Sequence, residues 1–366
     1  MENSRDKING YLVDSDGELY PKLQELLNKS SRTFAFTLEK LPKPLFAWLR
    51  AAYLGARIED EIEDSDLADI DKKHLMKRIP GVLRGGSKEE ISSLESLLVG
   101  PTQDKSEGYK ELLSNIGFVQ RALSEFPSAV QDIIRKYYDE MADGLSNPGV
   151  QNIQTLEDHH SYCHYAAGVI GYMVSELTRE AGYFDEENIK RVMPDPSNWA
   201  LGINSAHDFG IGLQLTNDIR DLDKDTKQGI FRYPYELVEK QGFDYVKLVK
   251  LKESDKDELD NAYKNILKPQ IEDAKKYIIS ANRWIDELPF NPAGLKQSWG
   301  DALAMSASTL RIIDTPRFFY DENYRKISRE EIISIDAKVL ELTQSKKSLL
   351  SFLEHLFEKD VSSYIA

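Results

Sequence analysis

The sequence has few cysteines, few strand patterns and no long apolar run, and each scarcity excludes a class of protein. Cys163 is the only cysteine among 366 residues, so no disulfide forms within the chain, which fits a reducing cytoplasm. No apolar run is long enough to span a bilayer, and the first residues show no basic-then-apolar signal pattern. We therefore expect a cytoplasmic protein without a transmembrane anchor.

Positive charge is also scarce. The chain has 47 Lys and Arg residues against 62 Asp and Glu residues, which gives a formal net charge of -15. Binding to nucleic-acid phosphates requires clustered Lys and Arg, so the composition argues against a nucleic-acid partner. An acidic chain instead suits the binding of divalent cations, although many acidic proteins bind none.

Helical periodicity takes the place of the missing strands. Leu23, Leu26 and Leu27 share one face of a first helix, and Pro44 stands in the first turn of a helix that ends in "EDEIED". Hydrophobic residues make up 41% of the chain, which is ample for a large core. The breaks between helices are too short for domain linkers, so the sequence predicts a single all-α domain over residues 1–366.

Three later helices bear on function. One long helix is predicted over residues 153–182, and "TLED" near its start is typical of a capping box. A second is predicted over 205–225 despite two glycines, and a final one over 336–360. Small residues in "YAAGVIG" allow a ligand chain or a neighbouring helix to approach the helix over 153–182 closely.

The segment "EDEIED" concentrates five carboxylates in less than two helical turns. Asp60, Glu63 and Asp64 share a helix face, with Arg57 one turn earlier and Tyr53 one turn before that. One interpretation is a solvated surface, because charged side chains are mostly exposed. The other is a site for a strongly cationic ligand.

A second acidic stripe favours the cationic ligand. In "GLQLTNDIRDLDKD", Gln214, Asn217, Asp221 and Asp225 follow one another along one helix face. An apolar flank borders this stripe, so the stripe lies at the edge of the core; the flank consists of Leu215, Ile219 and Leu222. Mg²⁺ prefers hard oxygen ligands and commonly bridges protein carboxylates to substrate phosphates, so we predict Mg²⁺ between the two stripes. Arg57 and Arg220 suit phosphate oxygens through the guanidinium fork.

These stretches resemble the squalene/phytoene synthase family, most closely the squalene synthases. "ARIEDEIED" is similar to the first aspartate-rich motif of the family and "LQLTNDIRDLDKD" to the second. "SRTFA" (31–35) resembles the N-terminal signature that approaches the diphosphate. "YCHYAAGVIG" (162–171) resembles the segment that carries a catalytic tyrosine, here Tyr162.

The resemblance implies an all-α isoprenoid synthase fold, the class I terpenoid synthase bundle, around a central cavity with the two acidic helices across its mouth. It also implies the condensation of two farnesyl diphosphates through presqualene diphosphate, followed by NADPH-dependent reduction to squalene. The implied Mg²⁺ ligands are Asp60, Glu63, Asp64, Asp221 and Asp225. The implied substrate contacts are Ser31, Arg32, Phe34, Tyr53, Arg57, Gln214, Asn217 and Arg220.

The implied catalytic residues are Tyr162, Asp60, Asp64, Asp221 and Asp225. On its residues alone, Tyr162 is predicted to be a core tyrosine with a satisfied hydroxyl. The resemblance implies proton abstraction or cation steering instead, and the sequence does not separate these two roles. Nearby, His160 and His164 stand at i and i+4 like half a zinc site, but the sequence offers no third ligand.

The NADPH site is implied by weaker signals. No glycine-rich dinucleotide fingerprint is present, and "NYRKISREE" (323–331) resembles a basic segment that meets the NADPH phosphates through Lys326 and Arg329. A solvated surface is the alternative for these two cations. Three departures from the family pattern are "IFRYP" (230–234), Asp218 where an apolar residue is customary, and "AL" (302–303) where Pro-Gln is usual.

Two alternative functions stay open. One is a synthase of the same fold that stops at presqualene diphosphate or makes dehydrosqualene or phytoene without reduction. The other is a catalytically silent isoprenoid-binding protein, although every acidic ligand position is retained. The last predicted helix is amphipathic, so either packing in the core or peripheral membrane contact suits it.

Overall fold

The computed structural model describes most of the chain. The described ranges are residues 19–65, 67–99, 106–193, 204–250, 256–290, 292–319, 321 and 326–365. Within these ranges every regular element is helical and no strand occurs, so the all-α prediction is confirmed. None of the helices in these ranges has the length and apolarity needed to cross a bilayer.

The helices follow one another in chain order, with two π-helical turns and one 3₁₀ turn among them. They are α1 (Leu19–Ser30), α2 (Arg32–Leu38), α3 (Leu45–Glu63), α4 (Asp69–Gly85), α5 (Lys88–Val99), α6 (Glu107–Leu113), α7 (Ile116–Ser124), α8 (Ser128–Leu145), α9 (Pro148–Gln151), α10 (Leu156–Cys163), a π turn (His164–Gly168), α11 (Val169–Glu180), α12 (Glu186–Val192), α13 (Ser205–Lys227), α14 (Tyr235–Glu239), α15 (Tyr245–Val249), α16 (Lys256–Ala262), a π turn (Tyr263–Leu267), α17 (Lys268–Glu287), α18 (Ala293–Ile313), a 3₁₀ turn (Pro316–Phe319), α19 (Arg329–Gln344), α20 (Leu350–Leu356) and α21 (Ser362–Ile365).

The described residues fall into two compact units. Unit 1 comprises the described residues up to Pro148 together with Met173–Glu186. Unit 2 comprises Gly149–Tyr172 and the described residues from Glu187 onward. The first acidic stretch belongs to unit 1 and the second to unit 2. A single domain over residues 1–366 stays a prediction.

In unit 1, helix α3 carries an apolar face whose residues are spaced four apart in the chain. Leu54, Ile58 and Ile62 are completely buried, and burial of each such side chain contributes about 1.5 to 3 kcal/mol. At Gly55 a Cβ atom would lie 2.0 Å from the Tyr138 hydroxyl oxygen. That hydroxyl donates a hydrogen bond of 2.6 Å to the Ala52 carbonyl. The absence of a side chain at Gly55 therefore lets α8 lie directly against α3.

In unit 2, two glycines bring α13 against the chain around the π turn that follows α10. A Cβ atom at Gly171 would lie 1.9 Å from the Ala206 carbonyl oxygen, and one at Gly210 would lie 2.0 Å from the Ala167 carbonyl oxygen. Neither position tolerates a larger residue unless the backbone shifts. The small residues of "YAAGVIG" therefore make room for a neighbouring helix, which is one of the two alternatives that the sequence leaves open.

One predicted helix is continuous and another is interrupted. The predicted capping box forms between Thr155 and Asp158, and α10, the π turn and α11 follow one another without a break from Leu156 to Glu180, so the predicted long helix forms with a π turn inside it. The predicted final helix over 336–360 is wrong as one element, because the chain turns after α19 at Lys346, where φ is 55°. This turn allows a separate apolar face on α20, whose buried residues are Phe352, Leu353 and Leu356.

Glu59 on α3 is buried without compensation. Its side chain is fully inaccessible, and neither carboxylate oxygen has a hydrogen-bond partner among the described residues. Burial, with a smaller contribution from Asp139, raises the pKa of Glu59 well above its usual value. The carboxyl group therefore weakens the folded state at neutral pH.

We expect Glu59→Leu to raise the free energy of unfolding by about 1 to 3 kcal/mol at neutral pH, since it removes an unsatisfied buried group. Because the folded-state pKa is raised, the parent loses stability as pH rises above about 4.3, where the unfolded glutamate ionises and the folded one does not. The advantage of the variant should therefore grow from pH 4.5 to pH 8. Chemical denaturation across this range measures it. The exposed Glu89→Leu serves as the control and should change stability by about 0.5 kcal/mol or less; an equal gain in both variants contradicts the argument.

Candidate active site

The last turns of α3 form a charge cluster around Arg57. Its guanidinium bonds Asp60 through Nη1, and Nη2 donates to Glu61 Oε1 at 2.6 Å. The Tyr109 ring lies 4.6 Å from the guanidinium carbon. The Asp60 and Glu61 side chains are only 16% and 1% exposed. The interpretation of this stretch as a solvated surface is therefore wrong.

Glu63 and Asp64 complete the first acidic segment at the end of the helix. Glu63 is the last residue of α3, and Asp64 caps it with its backbone N–H donating to the Asp60 carbonyl at 3.0 Å. Both side chains are half-buried. The C-terminal end of a helix carries partial negative charge. Carboxylates gathered there repel one another and the helix end, so the segment favours a bound cation.

Ser31, Phe34 and Tyr53 also come together in unit 1. The Ser31 hydroxyl caps α2 by accepting a hydrogen bond of 3.2 Å from the Phe34 backbone N–H. The Phe34 and Tyr53 rings lie 4.6 Å apart between centroids. Burial raises the pKa of Tyr53 to about 12, so its hydroxyl stays protonated at neutral pH. Arg32, the first residue of α2, is exposed.

In unit 2, helix α13 holds the second acidic segment, and its apolar flank is buried as predicted. Arg220 forms two hydrogen bonds with Asp221, from Nε to Oδ1 at 2.8 Å and from Nη2 to Oδ2 at 2.7 Å. Burial alone would raise the pKa of Asp221, but the bonded guanidinium, aided by Lys224 and Lys326, lowers it below its usual value. Asp221 is therefore ionised and available to a cation.

Asp225 lies one turn further along α13 and is more deeply buried, at 6% exposure. Burial raises its pKa to about 7, and Arg232 opposes that rise. The Arg232 Nη1 atom lies 3.9 Å from Asp225 Oδ2, and the guanidinium carbon lies 5.1 Å from the ring centroid of Tyr162. Arg232 thus connects the predicted catalytic tyrosine, which is 1% exposed, with a predicted metal ligand.

Gln214 and Asn217 occupy the first half of the stripe. The Gln214 side-chain amide donates a hydrogen bond of 2.9 Å to Asp218 Oδ1. Asn217 is exposed, whereas the neighbouring Asp218 is buried. The structure therefore directs Gln214 towards Asp218, a contact that the sequence does not indicate.

The predicted cations and the histidine pair lie in different surroundings. Lys326 and Arg329 are both exposed, and Lys326 is near enough to Asp221 to lower its pKa. The residues just before Lys326 in "NYRKISREE" lie outside the described ranges. His160 bonds Asp273, while His164 Nδ1 lies 3.0 Å from His207 Nε2, so the two histidines do not share a partner.

Arg232, Tyr109 and Glu61 are the contacts that sequence reasoning misses. Arg232 lies in "IFRYP", a segment that departs from the family pattern, so the resemblance does not point to it. Tyr109 comes from a separate helix of unit 1 and carries no motif. Each unit holds one acidic segment, and the predicted convergence of Asp60 with Asp221 stays a prediction.

Comparisons with known proteins agree with these motifs. The squalene/phytoene synthase family model matches residues 27–329. Squalene synthase ERG9 of Gibberella zeae is 31% identical over 226 residues, which cover 59% of this chain and 44% of that protein. Squalene synthase ERG9 of Candida albicans is 29% identical over 225 residues, covering 61% and 47%. The chain thus spans about half the length of these curated relatives.

Solved structures show the same fold. The structure of TcSQS with the ligand E5700 superposes with a TM-score of 0.72 at 21% identity, covering 93% of this chain and 96% of that chain. A dehydrosqualene synthase in complex with a ligand gives a TM-score of 0.56 at 16% identity, covering 92% and 99%. The predicted all-α isoprenoid synthase fold is therefore confirmed.

Proposed function

Because this chain belongs to the squalene/phytoene synthase family, whose members are prenyltransferase-type enzymes, we propose that it is a squalene synthase. Two molecules of farnesyl diphosphate would be joined head to head through presqualene diphosphate, which is then reduced to squalene. The curated relatives named above are squalene synthases. The observation that carries the proposal is the carboxylate stripe on α13, in which Asp221 and Asp225 lie at the edge of the core with an arginine beside each.

The donor atoms of both acidic segments fit Mg²⁺. They are carboxylate oxygens without sulfur or imidazole, which is the ligand chemistry that Mg²⁺ prefers. The proposed ligands are Asp60, Glu63, Asp64, Asp221 and Asp225. When bound, Mg²⁺ would supply Lewis acidity that turns diphosphate into a competent leaving group. The partial burial of Asp60 and Asp225 supports the fit, because a cation offsets the cost of burying their charge.

Arg57 and Arg220 have two tasks in this proposal. In the ligand-free chain they hold Asp60 and Asp221 in place through short charge-assisted hydrogen bonds. A diphosphate offers the same fork-shaped pair of oxygens as a carboxylate, so each guanidinium can turn from its carboxylate to the substrate. Both carboxylates would then be released to cations.

Tyr162 is proposed to act beside Arg232. A positive charge near a phenol stabilises its ionised form, so the 5.1 Å contact supports proton abstraction during formation of the cyclopropane. Steering of the allylic cation by the ring stays the alternative. In either role the deep burial of Tyr162 excludes water, which would otherwise quench a carbocation.

The reductive half of the reaction rests on fewer residues. Lys326 and Arg329 are proposed to hold the phosphates of NADPH, which would supply the hydride. Both side chains are exposed and cationic, and the electrostatic effect of Lys326 on Asp221 supports a location close to the second acidic segment.

The first test addresses the acidic ligands. We expect Asp60→Asn and Asp221→Asn each to lower the rate of diphosphate release from farnesyl diphosphate by at least ~100-fold, or about 3 kcal/mol, because each removes a charged ligand. The matched control is Asp223→Asn, since Asp223 pairs with Lys227 at 2.9 Å on the same helix and should change the rate by about threefold or less. A silent isoprenoid-binding protein would release no diphosphate in any form.

The second test addresses Arg232. Arg232→Gln should lower formation of presqualene diphosphate by ~10- to 100-fold, since a partly buried positive charge beside Tyr162 is lost. Arg232→Lys should restore part of the rate, because it restores the charge. Lys227→Gln removes an exposed charge of the same sign and serves as the control. Equal rates for the two glutamine variants would show that Arg232 has no part in the chemistry.

The third test separates the full reaction from its first half. The purified chain with farnesyl diphosphate and Mg²⁺ should accumulate presqualene diphosphate, and addition of NADPH should convert it to squalene, as followed by mass spectrometry. Arg329→Ala should raise the KM for NADPH by ~10-fold, about 1.4 kcal/mol, and leave presqualene diphosphate formation unchanged, because Arg329 is not among the groups that act on Asp221. A hydrocarbon product that does not depend on NADPH would refute the reductive step and indicate a dehydrosqualene or phytoene synthase.

A further inference from the structure

A second cluster of metal-binding side chains lies in unit 2, apart from the carboxylate stripe. His159 and Cys163 stand one turn apart on α10, and Asp218 reaches them from α13. All three side chains are buried, with exposures of 0%, 0% and 2%. Their potential ligand atoms all lie within 4.8 Å of one another.

The separations inside this cluster are close to those around a tetrahedral zinc ion. His159 Nε2 lies 2.9 Å from Asp218 Oδ2, and Cys163 Sγ lies 3.7 Å from the same oxygen. Zn–N and Zn–O bonds of ~2.0 Å and a Zn–S bond of ~2.3 Å place neighbouring ligand atoms roughly 3.3 to 3.5 Å apart. These two separations differ from the zinc values by a few tenths of an ångström, and all three ligand atoms lie within 4.8 Å of one another.

Hydrogen bonding alone satisfies these buried groups poorly. His159 bonds Asp218 through Nε2, and a metal ion bound at Nε2 would replace that hydrogen bond and leave Nδ1 as it is. Cys163 reaches Asp218 only through a weak thiol contact. A dication with one thiolate and one carboxylate gives a neutral site, so metal binding would remove the cost of the buried Asp218 charge.

We propose that His159, Cys163 and Asp218 bind a transition-metal ion of the zinc class that joins α10 to α13. The set of one nitrogen, one sulfur and one oxygen ligand suits Zn²⁺ and Co²⁺ and does not suit Mg²⁺, which takes oxygen ligands. The site uses none of the proposed Mg²⁺ ligands and does not depend on the proposed function.

The side chain of Gln214 holds Asp218 from outside the ligand set. Its amide donates to the remaining carboxylate oxygen, Asp218 Oδ1, at 2.9 Å. Outer hydrogen bonds of this kind orient a ligating carboxylate and leave the other oxygen for the ion. The site thus has an oriented oxygen ligand before any ion is bound.

Cobalt spectroscopy tests the proposal directly. The full chain is freed of metal with a chelator and titrated with Co²⁺ in the presence of excess Mg²⁺. Because Cys163 is the only cysteine, a thiolate-to-cobalt charge-transfer band can arise only at this site. We expect the band to saturate at one Co²⁺ per chain, to disappear on addition of Zn²⁺, and to be insensitive to Mg²⁺.

Variants define the ligand set. Cys163→Ser should abolish the band, and His159→Gln and Asp218→Asn should each weaken Co²⁺ binding by at least ~10-fold. His160→Gln is the matched control, because His160 is the next residue along α10 and pairs with Asp273 instead. Absence of a band in the parent chain, or a band that survives unchanged in both His159→Gln and Asp218→Asn, overturns the proposal. The Co²⁺ titration of the unsubstituted chain remains a valid test even if a variant fails to fold.

Discussion

A carboxylate at the edge of a hydrophobic core requires a positive charge beside it, and this constraint shapes both acidic segments. Removing a carboxylate from water costs several kcal/mol unless a partner restores the lost interactions. Arg57 supplies that partner for Asp60 in unit 1, and Arg220 supplies it for Asp221 in unit 2. Arg232, which follows α13 in the chain, approaches Asp225, the next carboxylate of the second segment. In each acidic segment an arginine therefore offsets the charge of a partly buried carboxylate.

The same constraint explains why some groups are exceptions. Glu59 has no positive partner within the described residues, and burial raises its pKa, so it weakens the fold without serving a site. Asp218 is as deeply buried, but it faces an imidazole and a thiol. A buried carboxylate whose partners can ligate a metal is chemically different from one that lacks a hydrogen-bond partner among the described residues, although the sequence shows only an acidic residue in both cases.

Much of the helical architecture is predictable from the sequence, because it depends on local periodicity and capping. The buried face of Leu54, Ile58 and Ile62 follows from spacing alone. The π turn His164–Gly168 does not, because it arises where α13 packs against the chain at Gly171, a long-range contact that no local pattern records. Local periodicity likewise predicts a helix that continues through Lys346, but the chain turns at this residue.

The candidate site is predictable only where motifs mark it. Asp221 and Tyr162, which match family motifs, each lie beside an arginine, and their roles stay predictions. Arg232 was not identified because it lies in a segment that departs from the motif, and side chains that meet only in the folded state carry no common sequence signal. His160 and His164, whose spacing resembles half a zinc site, contact Asp273 and His207 respectively, so the sequence spacing of the two histidines does not report a shared site.

The central claim is that the two acidic segments act together on one diphosphate through shared cations. A crystal structure of the chain with Mn²⁺, located by its anomalous scattering, and the unreactive analogue farnesyl thiodiphosphate tests it most directly. The account predicts Mn²⁺ ions ligated by Asp60 or Asp64 and by Asp221 or Asp225, all contacting the same diphosphate group. Ions bound at one segment only, with the diphosphate elsewhere, would contradict it.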